Sequence, residues 1–193
     1  MALMIVPPGE VAAIVTTLEM RDRPPARPLP DNALRLVRWA QPEPAKYRAL
    51  FERVGAPWLW YSRLAMDDTA LRAAIQRTET QVHAVIDRAG IEVGLLEFTH
   101  PAPDWCCLDY LALVPELTGK GHGRWLMGLA MAMMWRPGVA MVRVNTGSLD
   151  HPGALSFYRR QGFVPVLRTV ETFPDPRLSG LLPEAAALQI PII

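Results

Sequence analysis

The chain has 193 residues, half of them hydrophobic, with 20 basic and 19 acidic side chains and a formal net charge of +1. That length buries a sizeable single core without staples, and the hydrophobic fraction excludes disorder except near the ends. A near-neutral balance excludes a nucleic-acid partner gripped through a strongly basic face. The two cysteines, Cys106 and Cys107, are adjacent. Neighbours in a strand point to opposite faces, so they do not form a structural disulfide, and a reducing compartment is expected. Met1–Val6 is too short an apolar run, and lacks the basic leader, for a secretory signal. The longest later apolar run, Trp125 to Trp135, is far below membrane-spanning length. The expected location is the cytoplasm, with no membrane partner.

In chain order, Val11–Met20 is β-branched and apolar and predicts a strand. Arg21–Pro30 holds four prolines and reads as an extended linker. Ala33–Trp39 alternates as a half-buried strand does. Pro44–Val54 places Tyr47, Leu50, Phe51 and Val54 at helical spacing, with Gly55 as its stop. Asp67 caps a second helix running to Arg77, with Leu71, Ala74 and Ile75 as its stripe. Strands follow at Thr80–Asp87 and Ile91–Phe98, joined through Arg88-Ala89-Gly90, and at Trp105–Val114. A helix then carries Leu126, Leu129, Ala130 and Met133 on one face, and Arg136-Pro137-Gly138 stops it. Val139–Asn145 is a strand, a short helix runs from near Pro152 to before Gly162, and Phe163–Phe173 is the last strand. The tail has no clear period beyond a helical turn at Pro183–Leu188. The predicted class is α/β, with a mixed, mostly antiparallel central sheet and helices on both faces.

Between strand and helix lies Thr118-Gly119-Lys120-Gly121-His122-Gly123-Arg124. Alternate glycines at a helix start leave backbone N–H groups bare, which is an anion site. A P-loop needs Lys then Ser or Thr after its last glycine, and Arg124-Trp125 stands there instead. A dinucleotide fingerprint needs a small residue where Leu126 lies and an acid after the next strand, which ends at Asn145. What remains is a phosphate-binding turn or a plain tight connection. Downstream, Asp150-His151-Pro152-Gly153-Ala154-Leu155-Ser156-Phe157-Tyr158 precedes Gly162-Phe163.

Together the two blocks resemble the acetyl-CoA-binding core of the GNAT N-acetyltransferases. The Asp-His-Pro-x-Ala-Leu run, preceded by Thr146-Gly147-Ser148-Leu149, resembles a bacterial branch of that family. Gly121 and Gly123 match the small positions of the family's Gln/Arg-x-x-Gly-x-Gly/Ala turn, with Thr118 where Gln or Arg is usual. The resemblance implies acetyl-CoA as co-substrate, no metal, and backbone amides around Thr118–Gly123 on the pyrophosphate. Lys120 and Arg124 add positive charge there. The edge of Leu111, Ala112 and Leu113 would bond the pantetheine chain as an added strand would. Gly119, His122 and Asn145 complete the expected cofactor set. His151 reads equally as a cofactor contact and as a helix-start cap. Tyr158 matches the acid that protonates the departing thiolate, and a phenol of ordinary pKa about 10 stays protonated at neutral pH.

The family's usual carboxylate lies four positions before Leu111, where this chain has Cys107. Two candidates for the base remain. Asp109 shares a strand face with Cys107, and Glu97 lies on the preceding strand; Asp109 is favoured, and each also reads as a solvated edge charge. A covalent role for Cys107 is the weaker alternative. Trp58, Trp60 and Tyr61 fall where an acceptor would bind, or they pack the helix pair on the sheet. The expected organisation is an extension at 1–32 adding an edge strand or partner surface, a GNAT-like domain at 33–173, and a tail at 174–193. The expected activity is acetyl transfer to a primary amine of a small molecule or protein. The alternative is a non-catalytic acyl-CoA-binding sensor or scaffold. The resemblance also allows a homodimer.

Overall fold

The structure, a computed structural model, describes residues 3–25 and 28–193. Residues 26 and 27 of the expected proline-rich linker, and residues 1 and 2 of the N-terminal apolar run, lie outside the described residues. In order come β1 (Glu10–Met20), β2 (Arg35–Trp39), α1 (Pro44–Gly55), α2 (Asp68–Ile75), β3 (Thr80–Ile86), β4 (Glu92–Ala102) and β5 (Trp105–Leu113). They are followed by α3 (His122–Met134), β6 (Met141–Gly147), α4 (Ala154–Gln161) and β7 (Val164–Pro174). The strands form one seven-stranded sheet ordered β2-β3-β4-β5-β6-β1-β7. The β5–β6 pair is parallel and the other pairs are antiparallel.

The period of two in the strands divides the apolar residues between two cores on opposite faces. Leu95 and Ala84 pack with Tyr47, Phe51, Leu71 and Ile75 of α1 and α2. Their neighbours Leu96 and Val85 pack with Leu126, Met127 and Ala130 of α3 and with Tyr158 of α4. Asp67 caps α2 by accepting from the Ala70 amide at 2.7 Å.

The first strand departs from expectation. It is not at an edge: Val15 pairs with Gly147 of β6 on one side and Thr169 of β7 on the other. Its residues are apolar towards both faces, with Ala13, Leu18 and Met20 all buried, as an inner strand requires. The edge is β7 instead, and it exposes Val164, Val166, Leu167 and Val170.

Two local stops also differ. Gly55 does not end the first helical run; its φ is −103°, and a single 3-10 turn, Ala56–Trp58, continues the coil. The reversal comes at Leu59, with φ 54°. Gly55 is needed for space, because a Cβ there would sit 2.6 Å from Trp60 Cβ. On α3 the buried face comprises Trp125, Leu126, Met127, Ala130 and Met134, while Leu129 and Met133 are half-buried. The face is turned from the expected one because Trp125 and Met127, not Met133, reach the sheet. Beyond β7 the tail folds back on the molecule. Arg177 forms a buried ion pair with Asp175 at 2.6 Å and donates to the Ile190 carbonyl at 2.8 Å. Leu182 and Ala187 pack on Val11, Leu59 and Phe173. The expected turn is present, with the Ala186 amide bonded to the Pro183 carbonyl at 2.9 Å.

Candidate active site

β5 and β6 pair from Trp105–Met141 to Leu108–Val144 and then separate. Beyond Leu108, β5 continues to Leu113 bonded to β4 alone, so its other edge is free. The gap opens into a groove of about 720 Å³ between β5, the start of α3 and α4. At one end stands the glycine turn. Gly119 and Gly121 have φ of 77° and 84°, conformations that L side chains rarely adopt. A Cβ at either would meet nothing within 4 Å, so conformation and not crowding demands glycine there. α3 starts without a side-chain cap. Among the described residues, the N–H groups of residues 119–123 have no protein acceptor. Bare amides at the positive end of a three-turn helix attract an anion.

The groove brings together Leu111, Ala112, Leu113, Thr118, Gly119, Gly121, Gly123, Arg124, His151 and Tyr158. It leaves out three expected members. Lys120 is exposed and off the groove wall. The His122 ring is turned away to Asn32 Oδ1 at 3.1 Å. Asn145 accepts from Thr17 Oγ1 at 2.8 Å and lines the neighbouring cavity, because β6 has already diverged from β5 at that level. His151 Nδ1 accepts from the Gly153 amide at 2.9 Å, as a residue at a helix start does, and its ring meets Trp58 edge-on at 5.4 Å on the groove wall.

The Tyr158 ring is packed against Phe157 and Phe163 while lining the groove. Burial, and then the charge of Asp150, raise its phenol well above the ordinary value. The phenol stays protonated throughout the physiological range.

A second cavity of about 400 Å³ adjoins the groove, and the two share Trp58, Trp60 and Asp150. Its aromatic wall is packed as well as exposed. Trp60 lies 5.1 Å from Tyr110, Phe51 lies 4.9 Å from Tyr110, and Tyr61 stacks on Phe173 at 4.6 Å. Buried Leu59 holds its left-handed backbone between the two tryptophans, a strained conformation that aims both at the shared boundary. Asp150, which the sequence reading did not select, is the hinge of this boundary. Its Oδ2 accepts from Thr146 Oγ1 at 2.8 Å and the Gly147 amide at 2.7 Å, and its Oδ1 accepts from Trp60 Nε1 at 3.0 Å. The available signal was the habit of an Asp at a turn to accept from nearby amides.

Asp109 lines the second cavity and accepts from Thr99 Oγ1 at 2.6 Å. Burial raises its carboxyl above the ordinary range, against the hydrogen bonds from Thr99 and Cys107. Burial, then the Asp109 charge, raise the Cys107 thiol far above its ordinary value. A thiol so held stays protonated, which opposes a covalent role. Glu97 differs from its expected place. It is fully buried, lines neither cavity, and has both oxygens engaged, by Tyr47 Oη and Arg63 Nη2, at 2.5 Å each. It is a structural anchor for the 58–63 loop. No helix among the described residues is long and apolar enough to cross a membrane, and no metal-binding cluster occurs among them.

Residues 79–165, which supply all of this groove's lining except Trp58 and Trp60, match the family model described as an acetyltransferase (GNAT) domain. The chain has the GNAT fold. Solved structures agree. A GCN5-related N-acetyltransferase from Sphaerobacter thermophilus superposes with a TM-score of 0.59 at 18% identity, over 87% of this chain and 52% of that one. A tandem GNAT protein from the clavulanic acid biosynthesis pathway gives 0.59 at 19%, over 84% and 53%. An aminoglycoside acetyltransferase from an uncultured soil metagenomic sample gives 0.55 at 20%, over 68% and 89%. The chain thus spans about half the length of the first two GNAT structures. None of the curated proteins compared with it matches.

Proposed function

We propose that the chain is an N-acetyltransferase that moves an acetyl group from acetyl-CoA directly to a primary amine. One observation carries this reading. A continuous groove runs from the bare amides of residues 119–123, along the free edge of β5, to Tyr158, and meets a second cavity containing Asp109 at Trp58, Trp60 and Asp150.

The residues present suit the cofactor. The N–H row and Arg124 take a pyrophosphate, and the free edge of Leu111–Leu113 offers backbone partners to an amide-bearing chain. Thr118 is exposed at the turn, but its amide donates to the Pro115 carbonyl at 3.0 Å, so the free row begins at Gly119. Acetyl-CoA supplies the activated acyl carbon: the amine nitrogen bonds to it, the carbon–sulfur bond breaks, and sulfur leaves with the electron pair. Asp109 takes the proton the amine must lose, its raised pKa making it a better base than an ordinary carboxylate while it remains ionised. Tyr158 donates its proton to the departing sulfur. Trp58 and Trp60 exclude water where the two cavities meet. The products are an acetamide and free CoA thiol.

The test is calorimetry with acetyl-CoA on the wild type and on a double variant, Gly121→Val with Gly123→Val, followed by thiol release with an amine panel. Micromolar binding lost in the variant and thiol release with an amine support the reading. Binding without thiol release from any amine favours the sensor or scaffold, and no binding overturns both.

A further inference from the structure

The second cavity is charged in a way acetyl transfer alone does not require. Asp109, Asp150 and Glu171 all line it, and none has an ion-pair partner among the described residues. Its cation, Arg63, is taken up by buried Glu97 at 2.5 Å. A cleft with apolar walls and a single uncompensated sign focuses its field and concentrates ligands of the opposite sign.

Resting on the acetyl-transfer reading, we infer that the acceptor is an elongated aliphatic amine carrying a second protonated amine, and that Glu171 selects it. Glu171 stands on β7, beside the stacked pair of Tyr61 and Phe173. Both residues line the cavity, and the Glu171 charge, after burial, helps to raise the Tyr61 phenol. A carboxylate against aromatic rings suits an alkylammonium: the charge pairs with the oxygen, and the methylenes and cation lie along the rings.

The sheet order sets the length. β6 and β1 lie between Asp109 on β5 and Glu171 on β7, three strand spacings or about 14 Å across. The register offsets the two by about four residues, a further ~13 Å along the strands, since Asp109 is level with Asn145 and Thr17 whereas Glu171 pairs with Ala13. A short amine cannot reach both carboxylates; a chain of several methylenes reaches much further across. Both ends arrive protonated, since an alkylamine has a pKa of about 10.4 in water. The nitrogen at the Asp109 end gives up its proton there and attacks, while the nitrogen at the Glu171 end keeps its charge. An acceptor with a carboxylate at that far end meets repulsion instead.

The experiment compares diaminooctane, octylamine and aminooctanoic acid as acceptors, by thiol release with acetyl-CoA and by calorimetry on the full chain. The diamine is expected to exceed the monoamine in kcat/KM by about tenfold, through KM, with the amino acid poorest. Glu171→Gln should bring the diamine-to-monoamine ratio close to one, and Glu171→Asp should keep most of it. Glu171 is exposed, so neither variant threatens folding. Equal use of the diamine and the monoamine, or a ratio that Glu171→Gln leaves unchanged, overturns the inference. If no amine releases thiol, the acetyl-transfer reading fails, and calorimetry still decides the ligand class. Diamine binding that weakens in Glu171→Gln supports it, and no diamine binding overturns it.

Discussion

The indole of Trp60 donates to Asp150 Oδ1 at 3.0 Å, tying the loop after α1 to the turn before α4 across 90 residues of chain. The same carboxylate holds that turn through Thr146 and Gly147, so one side chain sets both walls of the boundary between groove and cavity. Asp150→Ala removes three hydrogen bonds, each contributing about 1 kcal/mol, so a loss of about 2–4 kcal/mol in denaturant unfolding is expected. Trp60→Phe removes one of the three and should cost less, while raising the acceptor KM.

Tyr158 offers the cleanest separation of binding from chemistry. Tyr158→Phe keeps the packed ring and removes the proton donor. It should lower kcat by about 100-fold or more and leave acetyl-CoA affinity nearly unchanged. Calorimetry beside steady-state thiol release reads both. A variant with unchanged kcat would remove the phenol from the mechanism.

In the proposed mechanism, Asp109 couples activity to stability with opposite signs. Its folded pKa is raised, so its contribution to stability is full below the ordinary value of 3.8 and is lost as pH rises through the raised one. At neutral pH the buried carboxylate therefore destabilises the fold. Asp109→Asn should raise the melting temperature at pH 7 relative to wild type while lowering kcat. In wild type, kcat/KM should fall as pH drops through the raised value. Thermal scans and a pH–rate profile check the two signs.

Gly55→Ala tests the acceptor side through space alone. The added Cβ meets Trp60 Cβ at 2.6 Å, near the backbone of a strained loop that has no flexible end to give way. Overpacking of this kind costs about 1–3 kcal/mol. The acceptor KM should rise while acetyl-CoA binding, at the far end of the groove, is retained.

The turn was legible because its chemistry is local. Gly119 and Gly121 announce a backbone that only glycine adopts easily, next to a helix that starts uncapped, and neighbours in sequence settle both facts. The alternation that sends Leu95 to one core and Leu96 to the other is local too. Glu97 and Asp109 show the opposite case. Both are strand carboxylates, and what separates them is Tyr47 and Arg63, brought from α1 and the following loop to occupy Glu97. No spacing within the strand carries that information.

By itself, then, the chain's pattern of apolar periods, glycines and caps determined the elements, the mixed sheet and the glycine turn with its bare amides. Each depends on backbone conformations set by residues a few positions apart. Tertiary structure decided the rest: that β1 is an inner strand and β7 the edge, that Asn145 and His122 leave the groove, and that Asp150 joins its walls. These follow from pairings between distant segments, whose choice depends on which apolar faces and hydrogen-bonding edges remain unsatisfied once the whole sheet has assembled.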